Sequence, residues 1–179
     1  MRVIAGIYKG RTLKSITGRD IRPTTDNVRE SIFNILAVRF EGANVLDLFG
    51  GTGALGIEAL SRGAASVTFV DKARTSCQVI NDNLNLVKAQ ARVINADADV
   101  ALDRLTDKFD IIFIDPPYAM DGEQYISKIS DKRLLSDGGI IVYERSAKDE
   151  ASETIGDLTV TDTRKYGSVK LFFYQWKSV

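Results

Sequence analysis

The sequence predicts an α/β fold in which a mostly parallel sheet ends in an antiparallel C-terminal hairpin. From residue 43 onward, short apolar runs alternate with amphipathic stretches, a pattern typical of strands and helices in a parallel sheet. After Glu144 the alternation stops, and only a Gly-Ser pair separates the strand patterns Leu158–Tyr166 and Val169–Trp176. Two strands joined by so short a turn must pair antiparallel.

Residues 1–42 precede this alternation and are rich in basic side chains. Apolar residues on both sides of a Lys-Gly turn predict a β-hairpin over Arg2–Lys14. The polar residues Thr24–Asn27 are candidate N-caps for a helix over about Val28–Arg39, whose apolar residues recur at helical spacing. We therefore expect an N-terminal hairpin-and-helix extension and a core over residues 43–179, together forming a single compact domain.

The core is predicted to contain five strands before the hairpin and four helices between them. The strand patterns are short apolar runs, as expected for strands buried on both faces. They are Asn44–Leu48, Ser66–Val70, Ala91–Asn95, Phe109–Ile114 and Ile140–Tyr143. The helical patterns are Ala54–Arg62, Ala73–Val87, Asp99–Leu105 and Glu123–Lys132. A chain of 179 residues is long enough to bury one sizeable core.

The composition excludes several classes of catalytic site. Histidine is absent and cysteine occurs once, at Cys77. The missing histidine excludes Ser-His-Asp and Cys-His catalysis and histidine-ligated zinc, and no carboxylate cluster suits a metal, so we expect none. A single cysteine cannot form an internal disulfide and suits a reducing compartment. No apolar run approaches the ~20 residues that span a bilayer, so we expect a cytoplasmic protein.

Charge is unevenly distributed along the chain, although the net charge is zero. The first 40 residues hold eight basic and three acidic side chains. A segment with this imbalance can bring a basic face to a phosphate backbone, and it can equally be a solvated surface. Charge alone therefore leaves nucleic-acid binding open.

A glycine-rich loop joins the first core strand to its helix. Gly51, Gly53 and Gly56 match the spacing G-x-G-x-x-G, and Asp71 follows Gly51 by twenty positions at the end of the next strand. This is the spacing of a dinucleotide-binding loop. The loop alone therefore leaves a nicotinamide-dependent oxidoreductase as a candidate.

Three carboxylates near this loop favour S-adenosylmethionine over a dinucleotide. Asp47 stands directly before the glycines, where its charge would repel a pyrophosphate and attract a sulfonium and an ammonium group. Asp71 can accept hydrogen bonds from ribose hydroxyls. Asp97 can accept one from an adenine amino group, although a helix N-cap or a strand-end turn explains Asp97 equally well. The predicted cofactor-binding residues are Asp47, Gly50, Gly51, Gly53, Asp71, Lys72, Asp97 and Ala98.

The segment Asp115-Pro116-Pro117-Tyr118 follows the strand pattern Phe109–Ile114. Ligands of open α/β sheets bind at such strand ends. Proline has no N–H and a fixed φ, so the loop presents hydrogen-bond acceptors with little conformational freedom. The Asp115 carboxylate and the Pro116 carbonyl can accept the two hydrogens of an exocyclic amine, and the Tyr118 ring can stack on a planar base.

These motifs resemble those of the bacterial RsmD family, the 16S ribosomal RNA guanine-N2 methyltransferases. The resemblance covers essentially the whole chain, and the N-terminal motifs are more specific than the glycine loop, which points to methyltransferases broadly. The matching segments are Arg2–Gly6, Lys9–Arg11, Arg22–Thr24, Val28–Glu30, Phe33–Asn34, Leu46–Phe49, Gly51–Gly56, Glu58–Gly63 and Asp115–Tyr118. Gly50 stands where the family usually has alanine, and Asp71 where it commonly has glutamate.

The resemblance implies a Rossmann-like S-adenosylmethionine-dependent methyltransferase fold. It also implies transfer of a methyl group from S-adenosylmethionine to the exocyclic N2 amine of a guanine in small-subunit ribosomal RNA. The partner would be ribosomal RNA, either free or within the small subunit or an assembly intermediate. Asp115, Pro116 and Tyr118 would be the catalytic residues. The candidate substrate-binding residues are Arg2, Lys9, Arg11, Arg22, Thr24, Arg29, Pro117 and Tyr166.

Three other functions remain open at the level of sequence. Similar Asp- or Asn-Pro-Pro-Tyr loops act on adenine in nucleic acid and on glutamine in proteins, so the methylated amine could belong to either. The glycine spacing keeps a nicotinamide-dependent oxidoreductase as a second alternative. A non-catalytic RNA-binding module is a third, and the presence of Asp47, Asp115 and Tyr118 argues against it.

Overall fold

The computed structural model describes residues 1–16, 25–117 and 120–179. Within these ranges the strands are β1 Asn44–Asp47, β2 Ser66–Asp71, β3 Arg92–Asn95, β4 Phe109–Ile114, β5 Leu135–Ser146, β6 Thr154–Ile155, β7 Leu158–Tyr166 and β8 Val169–Trp176. The helices are α1 Asp26–Ile35, α2 Ala54–Ser61, α3 Arg74–Val87, α4 Ala98–Arg104 and α5 Glu123–Lys132. None of these helices is long and apolar enough to cross a membrane.

The described strands form one sheet in the order β3-β2-β1-β4-β5-β8-β7-β6. Strands β1 to β5 pair parallel, whereas β8 pairs antiparallel with β5 and with β7. The predicted mostly parallel sheet with an antiparallel C-terminal hairpin is therefore confirmed. The order reverses between β1 and β4, and in open α/β sheets the carboxyl ends of the strands at such a reversal border a ligand crevice.

Helices cover both faces of the sheet. Alternate residues of each central strand enter opposite cores, as in β1, where Val45 packs on one face and Leu46 on the other. Helices α1, α2 and α3 contribute their apolar residues to the first core, and α4 and α5 contribute theirs to the second. Burial on both sides explains why the strand segments are continuously apolar in the sequence.

Two predicted elements differ by more than one residue from their limits in the structure. Helix α1 begins at Asp26, with the Thr25 hydroxyl accepting a hydrogen bond from Val28 N–H, and it ends at Ile35 before a short 3₁₀ turn over Ala37–Arg39. Strand β5 is much longer than its apolar centre, because its polar end pairs with β8. The two-residue strand β6 is too short to leave a pattern in the sequence.

The predicted N-terminal hairpin is only partly formed. An isolated antiparallel bridge joins Arg2 and Thr12, and no regular strands flank it among the described residues. The backbone N–H groups of residues 4 and 5 instead donate to the Glu58 carboxylate, and those of residues 7 and 8 donate to the backbone and hydroxyl oxygens of Ser61. The two arms of the segment also bond to each other, because Val3 N–H donates to the Arg11 carbonyl and Leu13 N–H donates to the Met1 carbonyl. The chain therefore folds back as a hairpin, but its pairing is limited to one bridge and does not form the two regular strands that were predicted.

Glu58 is the centre of this attachment. Its carboxylate is completely buried and accepts hydrogen bonds from the N–H groups of Ile4 and Ala5, at 2.8 and 3.0 Å, and from Arg62 Nε, at 3.0 Å. A buried carboxylate is tolerated when its oxygens are satisfied in this way. The side chains of Val3 and Leu13 join the same core as α2, so the N-terminal segment is part of the packed fold.

A matched pair of glycines tests this attachment. The backbone angle φ is +85° at Gly6 and +83° at Gly10. An alanine at either position therefore carries about 1–2 kcal/mol of backbone strain. A Cβ on Gly6 would lie 1.9 Å from the Ser61 carbonyl oxygen, whereas a Cβ on Gly10 would meet nothing within 4 Å. We expect Gly6→Ala to lower the free energy of unfolding by at least about 2 kcal/mol more than Gly10→Ala.

The measurement is urea unfolding of both variants beside the parent protein. Equal losses of stability in the two variants would contradict tight packing of this segment against α2.

Candidate active site

A cavity of about 420 Å³ opens at the carboxyl edge of the sheet, at the reversal of strand order. This volume is in the range of small-molecule and cofactor sites. Residues that follow β1, β2, β3 and β4 line it together with the end of β5. The structure thus brings together most of the residues predicted from separate motifs: Arg29, Gly50, Gly51, Asp71, Lys72, Asp97, Ala98, Asp115, Pro116 and Pro117.

The glycine loop is held by the carboxylate of Asp71. Gly51 N–H donates to Asp71 Oδ2 at 3.0 Å, and Ala73 N–H donates to Asp71 Oδ1 at 2.9 Å. A carboxylate oxygen has two lone-pair sites, so each Asp71 oxygen can accept one further donor from the cavity. Gly51 has φ +57°, a left-handed conformation that glycine adopts without strain.

Two further glycines have steric roles. A Cβ on Gly56 would lie 2.2 Å from the Phe69 ring, so glycine allows α2 to pack closely on β2. Gly53, with φ +83°, is the N-cap of α2 and does not line the cavity, so it acts by directing the start of the helix. At Gly50, where the family usually has alanine, a Cβ would lie 2.8 Å from the Cδ1 methyl of Ile80.

Asp47 is the last residue of β1 and is 2% exposed. Its Oδ2 atom has no hydrogen-bond partner among the described residues. Burial raises the pKa of Asp47 to about 7, and the nearby charges of Asp115 and Asp71 add to the effect, while a hydrogen bond from the Gly56 backbone opposes it. Asp47 does not itself line the cavity, whereas Leu48 and the glycine loop that follow it do. An unsatisfied buried carboxyl beside this loop is suited to a cationic ligand group.

Asp97 is the N-cap of α4 and accepts a hydrogen bond from Asp99 N–H at 3.1 Å. The alternative interpretation of Asp97 as a helix cap is therefore correct. The residue also lines the cavity, and a capping carboxylate keeps free lone pairs. Its neighbour Ala98 is 5% exposed and presents an apolar wall.

The loop after β4 places Asp115, Pro116 and Pro117 on the cavity wall, with Asp115 and Pro116 half-buried. Asp115 is close enough to Asp47 to raise the pKa of that carboxyl. Tyr118 lies outside the described residues. Beyond it, Gly122 N–H donates to the Tyr143 hydroxyl at 2.9 Å, and this bond anchors the far end of the loop.

The predicted substrate-binding residues do not lie together. Three of them, Arg2, Lys9 and Arg11, are exposed and do not line the cavity. Tyr166 is half-buried, packs against the first core and does not line the cavity either. Arg29 differs from the other basic residues because its side chain is buried and lines the cavity. The remaining two residues, Arg22 and Thr24, lie outside the described ranges.

Sequence reasoning missed Asn83 in α3. Its side chain is completely buried, accepts a hydrogen bond from Lys14 N–H at 2.7 Å, and donates to the carbonyls of Lys14 and Thr52 at 3.1 and 2.8 Å. Asn83 therefore ties the N-terminal segment to the glycine loop. The detectable signal is a polar residue within the apolar helical stripe of Ile80, Leu84 and Val87.

The raised pKa of Asp47 predicts how stability depends on pH. Between about pH 4 and 7 the unfolded chain loses this proton while the folded protein keeps it, so the free energy of unfolding falls as pH rises. We expect Asp47→Asn to remove this pH-dependent loss of stability. As pH rises from 4 to 8, the free energy of unfolding of the variant should therefore increase by roughly 3–4 kcal/mol relative to that of the parent protein. Ligand-free urea unfolding across this range measures the effect.

Asp107→Asn is the control, because Asp107 is exposed and lies before β4, away from the cavity. If the free energy of unfolding changed with pH in the same way in Asp47→Asn and in the parent protein, Asp47 would not be buried as a neutral acid.

Comparisons with known proteins agree with this arrangement. A family model described as Conserved hypothetical protein 95 matches residues 1–175. The protein YlbH of Bacillus subtilis is 41% identical, over 98% of both chains. The ribosomal RNA small subunit methyltransferase D of Haemophilus influenzae is 35% identical, over 98% of this chain and 93% of that protein.

A solved structure extends the likeness to three dimensions. YhhF from Escherichia coli is 34% identical to this chain and superposes with a TM-score of 0.89, covering 100% of this chain and 99% of its own. The fold is therefore the Rossmann-like methyltransferase fold, as predicted. The chain belongs to the RsmD family, which the matching family model describes as Conserved hypothetical protein 95.

Proposed function

We propose that the protein transfers a methyl group from S-adenosylmethionine to the N2 amine of a guanine in 16S ribosomal RNA. The observation that carries this proposal is that one cavity is lined both by the glycine loop with Asp71 and by Asp115 with Pro116. A cofactor-sized site and a pair of amine acceptors are thus adjacent. The relative named ribosomal RNA small subunit methyltransferase D supports the RNA substrate and the reaction class.

The residues of the cavity fit S-adenosylmethionine, which supplies an electrophilic methyl group on a sulfonium. The free lone pairs of Asp71 suit two ribose hydroxyls, and Asp97 with Ala98 suits the adenine. The unsatisfied Oδ2 of Asp47 suits an ammonium group. An ionised Asp47 would repel a pyrophosphate at the glycine loop, which disfavours the nicotinamide-dependent alternative, whereas Asp71 would suit the ribose of either cofactor.

Asp115 and Pro116 would hold the guanine amine. Its nitrogen is a poor nucleophile because the lone pair is delocalised into the ring. Hydrogen bonds from its N–H groups to the Asp115 carboxylate and the Pro116 carbonyl would favour a tetrahedral nitrogen and direct the lone pair toward the methyl group. Catalysis then comes mainly from positioning and electrostatics, and Asp115 or water accepts the departing proton.

Tyr118 would stack on the guanine, an interaction worth ~1–3 kcal/mol per base. A base inside a helix cannot reach the cavity, so the guanine must be extruded or unpaired. We place the RNA against the basic extension, residues 1–42, outside the core over residues 43–179. The exposed Arg2, Lys9 and Arg11 suit phosphate contacts. Pro117 and Tyr166 are proposed to contact the base, and Arg22 and Thr24, which lie outside the described residues, are proposed to bind the RNA at the mouth of the active site.

The proposal is tested by offering labelled S-adenosylmethionine with three substrates in parallel: unmodified small ribosomal subunits, duplex DNA and a glutamine-bearing peptide. Label recovered as N2-methylguanine in 16S RNA supports the proposal. Label in adenine or in the peptide would identify one of the alternative amines. Protein-free 16S RNA, added as a fourth substrate, distinguishes free RNA from the assembled particle as the substrate.

We expect Asp115→Ala to lower the methylation rate by about 100- to 1000-fold, the effect typical of removing one well-placed group that stabilises the transition state. Affinity for S-adenosylhomocysteine should change by less than about threefold, because cofactor contacts are assigned elsewhere in the cavity. Single-turnover methylation and calorimetric titration measure the two quantities.

Asp107→Asn is the matched control, since it removes an exposed carboxylate far from the cavity. An unchanged rate in Asp115→Ala would refute the assigned role of this carboxylate.

A further inference from the structure

Arg29 is the most unusual charged residue in the described part of the chain. Its side chain is 1% exposed, yet it lines the cavity. Nη2 donates to the carbonyl oxygen of Arg2 at 2.6 Å and to Asp26 Oδ1 at 3.1 Å. Nε and Nη1 are buried and have no hydrogen-bond partner in the described ranges. Burying charged donors without partners is costly, so these groups indicate a missing acceptor.

The ion pair with Asp26 does not compensate for this burial. The Asp26 side chain is 77% exposed, so its charge is screened by water, whereas the guanidinium is almost fully removed from solvent. Asp26 also contacts only Nη2. An anion within the cavity would supply both the missing charge and the missing acceptor.

The position of Arg29 favours a small anionic group over an RNA phosphate. Arg29 is 1% exposed and lines the same cavity as the glycine loop. A phosphate in a polynucleotide would have to bring its sugar backbone into this cavity. The exposed Arg2, Lys9 and Arg11 are accessible to such a backbone, and Arg29 is not.

A second unsatisfied group narrows the identity of the anion. Asp47 Oδ2 is also buried and without a partner, and Asp47 directly precedes the glycine loop that lines the cavity. The described residues thus include an incompletely bonded guanidinium that lines the cavity and an incompletely bonded carboxyl next to a loop that lines it. An α-amino acid group, which carries a carboxylate and an ammonium on one carbon, complements both.

We propose that Arg29 binds the α-carboxylate of the methionine moiety of S-adenosylmethionine through its free N–H groups. This inference rests on the proposed cofactor and replaces the expectation that Arg29 contacts RNA phosphate. Arg29 is then a cofactor-binding residue that distinguishes ligands carrying the amino acid carboxylate from those lacking it. The N-terminal extension completes the cofactor site of the core.

Equilibrium binding of three ligands tests the proposal without any methyl transfer. S-adenosylmethionine carries the carboxylate, decarboxylated S-adenosylmethionine lacks only that group, and 5′-methylthioadenosine lacks the whole amino acid. We expect the parent protein to bind S-adenosylmethionine about 10- to 100-fold more tightly than the decarboxylated form, as a charge-assisted hydrogen bond provides. Arg29→Gln should lose this discrimination and bind 5′-methylthioadenosine within about twofold of the parent protein.

Two variants serve as controls. Arg29→Lys keeps the charge and should retain part of the discrimination, and Arg92→Gln alters an exposed arginine away from the cavity and should retain all of it. The two-ligand comparison in the parent protein needs no variant, so the proposal stays testable if Arg29→Gln does not fold.

Three results would overturn the proposal. Equal affinity of the parent protein for S-adenosylmethionine and its decarboxylated form would show that no group of the protein binds the carboxylate. If Arg29→Gln lowered the affinity for all three ligands equally, Arg29 would only support the cavity wall. Unchanged cofactor binding with weaker RNA binding would return Arg29 to a phosphate contact. If the parent protein binds none of the adenosine ligands, the cofactor assignment itself fails together with this inference.

Discussion

The reversal of strand order between β1 and β4 is the constraint on which the site depends. The helix after β1 packs on one face of the sheet, and the helix after β4 packs on the other. The loops after the two strands therefore diverge and leave a crevice between them. Asp47 ends β1, Asp115 directly follows the adjacent strand β4 and lines the cavity, and Asp71 holds the glycine loop.

Buried charges near the crevice fall into two groups with different meanings. Glu58 is fully buried and satisfied by two backbone N–H groups and Arg62, so it fastens the N-terminal segment and needs no ligand. Asp47 and Arg29 are equally buried but leave polar atoms without partners in the described residues. Buried charged side chains with all their hydrogen bonds made stabilise the fold, whereas those with unpaired polar atoms indicate a bound molecule. Hydrogen bonding, rather than burial itself, therefore distinguishes the two groups.

The N-terminal segment joins the core and the cavity. Its backbone is bonded to α2 through Glu58 and Ser61 and to α3 through Asn83, which also contacts the carbonyl of Thr52 in the glycine loop. A shift of this segment would therefore disturb the cofactor loop as well as Arg29. This connection gives a physical reason why a segment distant in sequence from the glycine loop influences the same site.

The sequence by itself determined the strand–helix alternation, the antiparallel final hairpin and the two loops that line the cavity, because these depend on local apolar periodicity and on residues adjacent in the chain. Only the tertiary structure decided what happens to polar groups that meet across long sequence separations. Arg29, which the sequence suggested as a surface contact to RNA, is buried and lines the cavity. Asn83 is buried and links the N-terminal segment to the glycine loop. The hairpin predicted over Arg2–Lys14 has one bridge instead of two regular strands, and other N–H groups of the segment bond to α2. Local pattern cannot specify these outcomes, since each depends on which distant donor or acceptor the packed fold brings into reach.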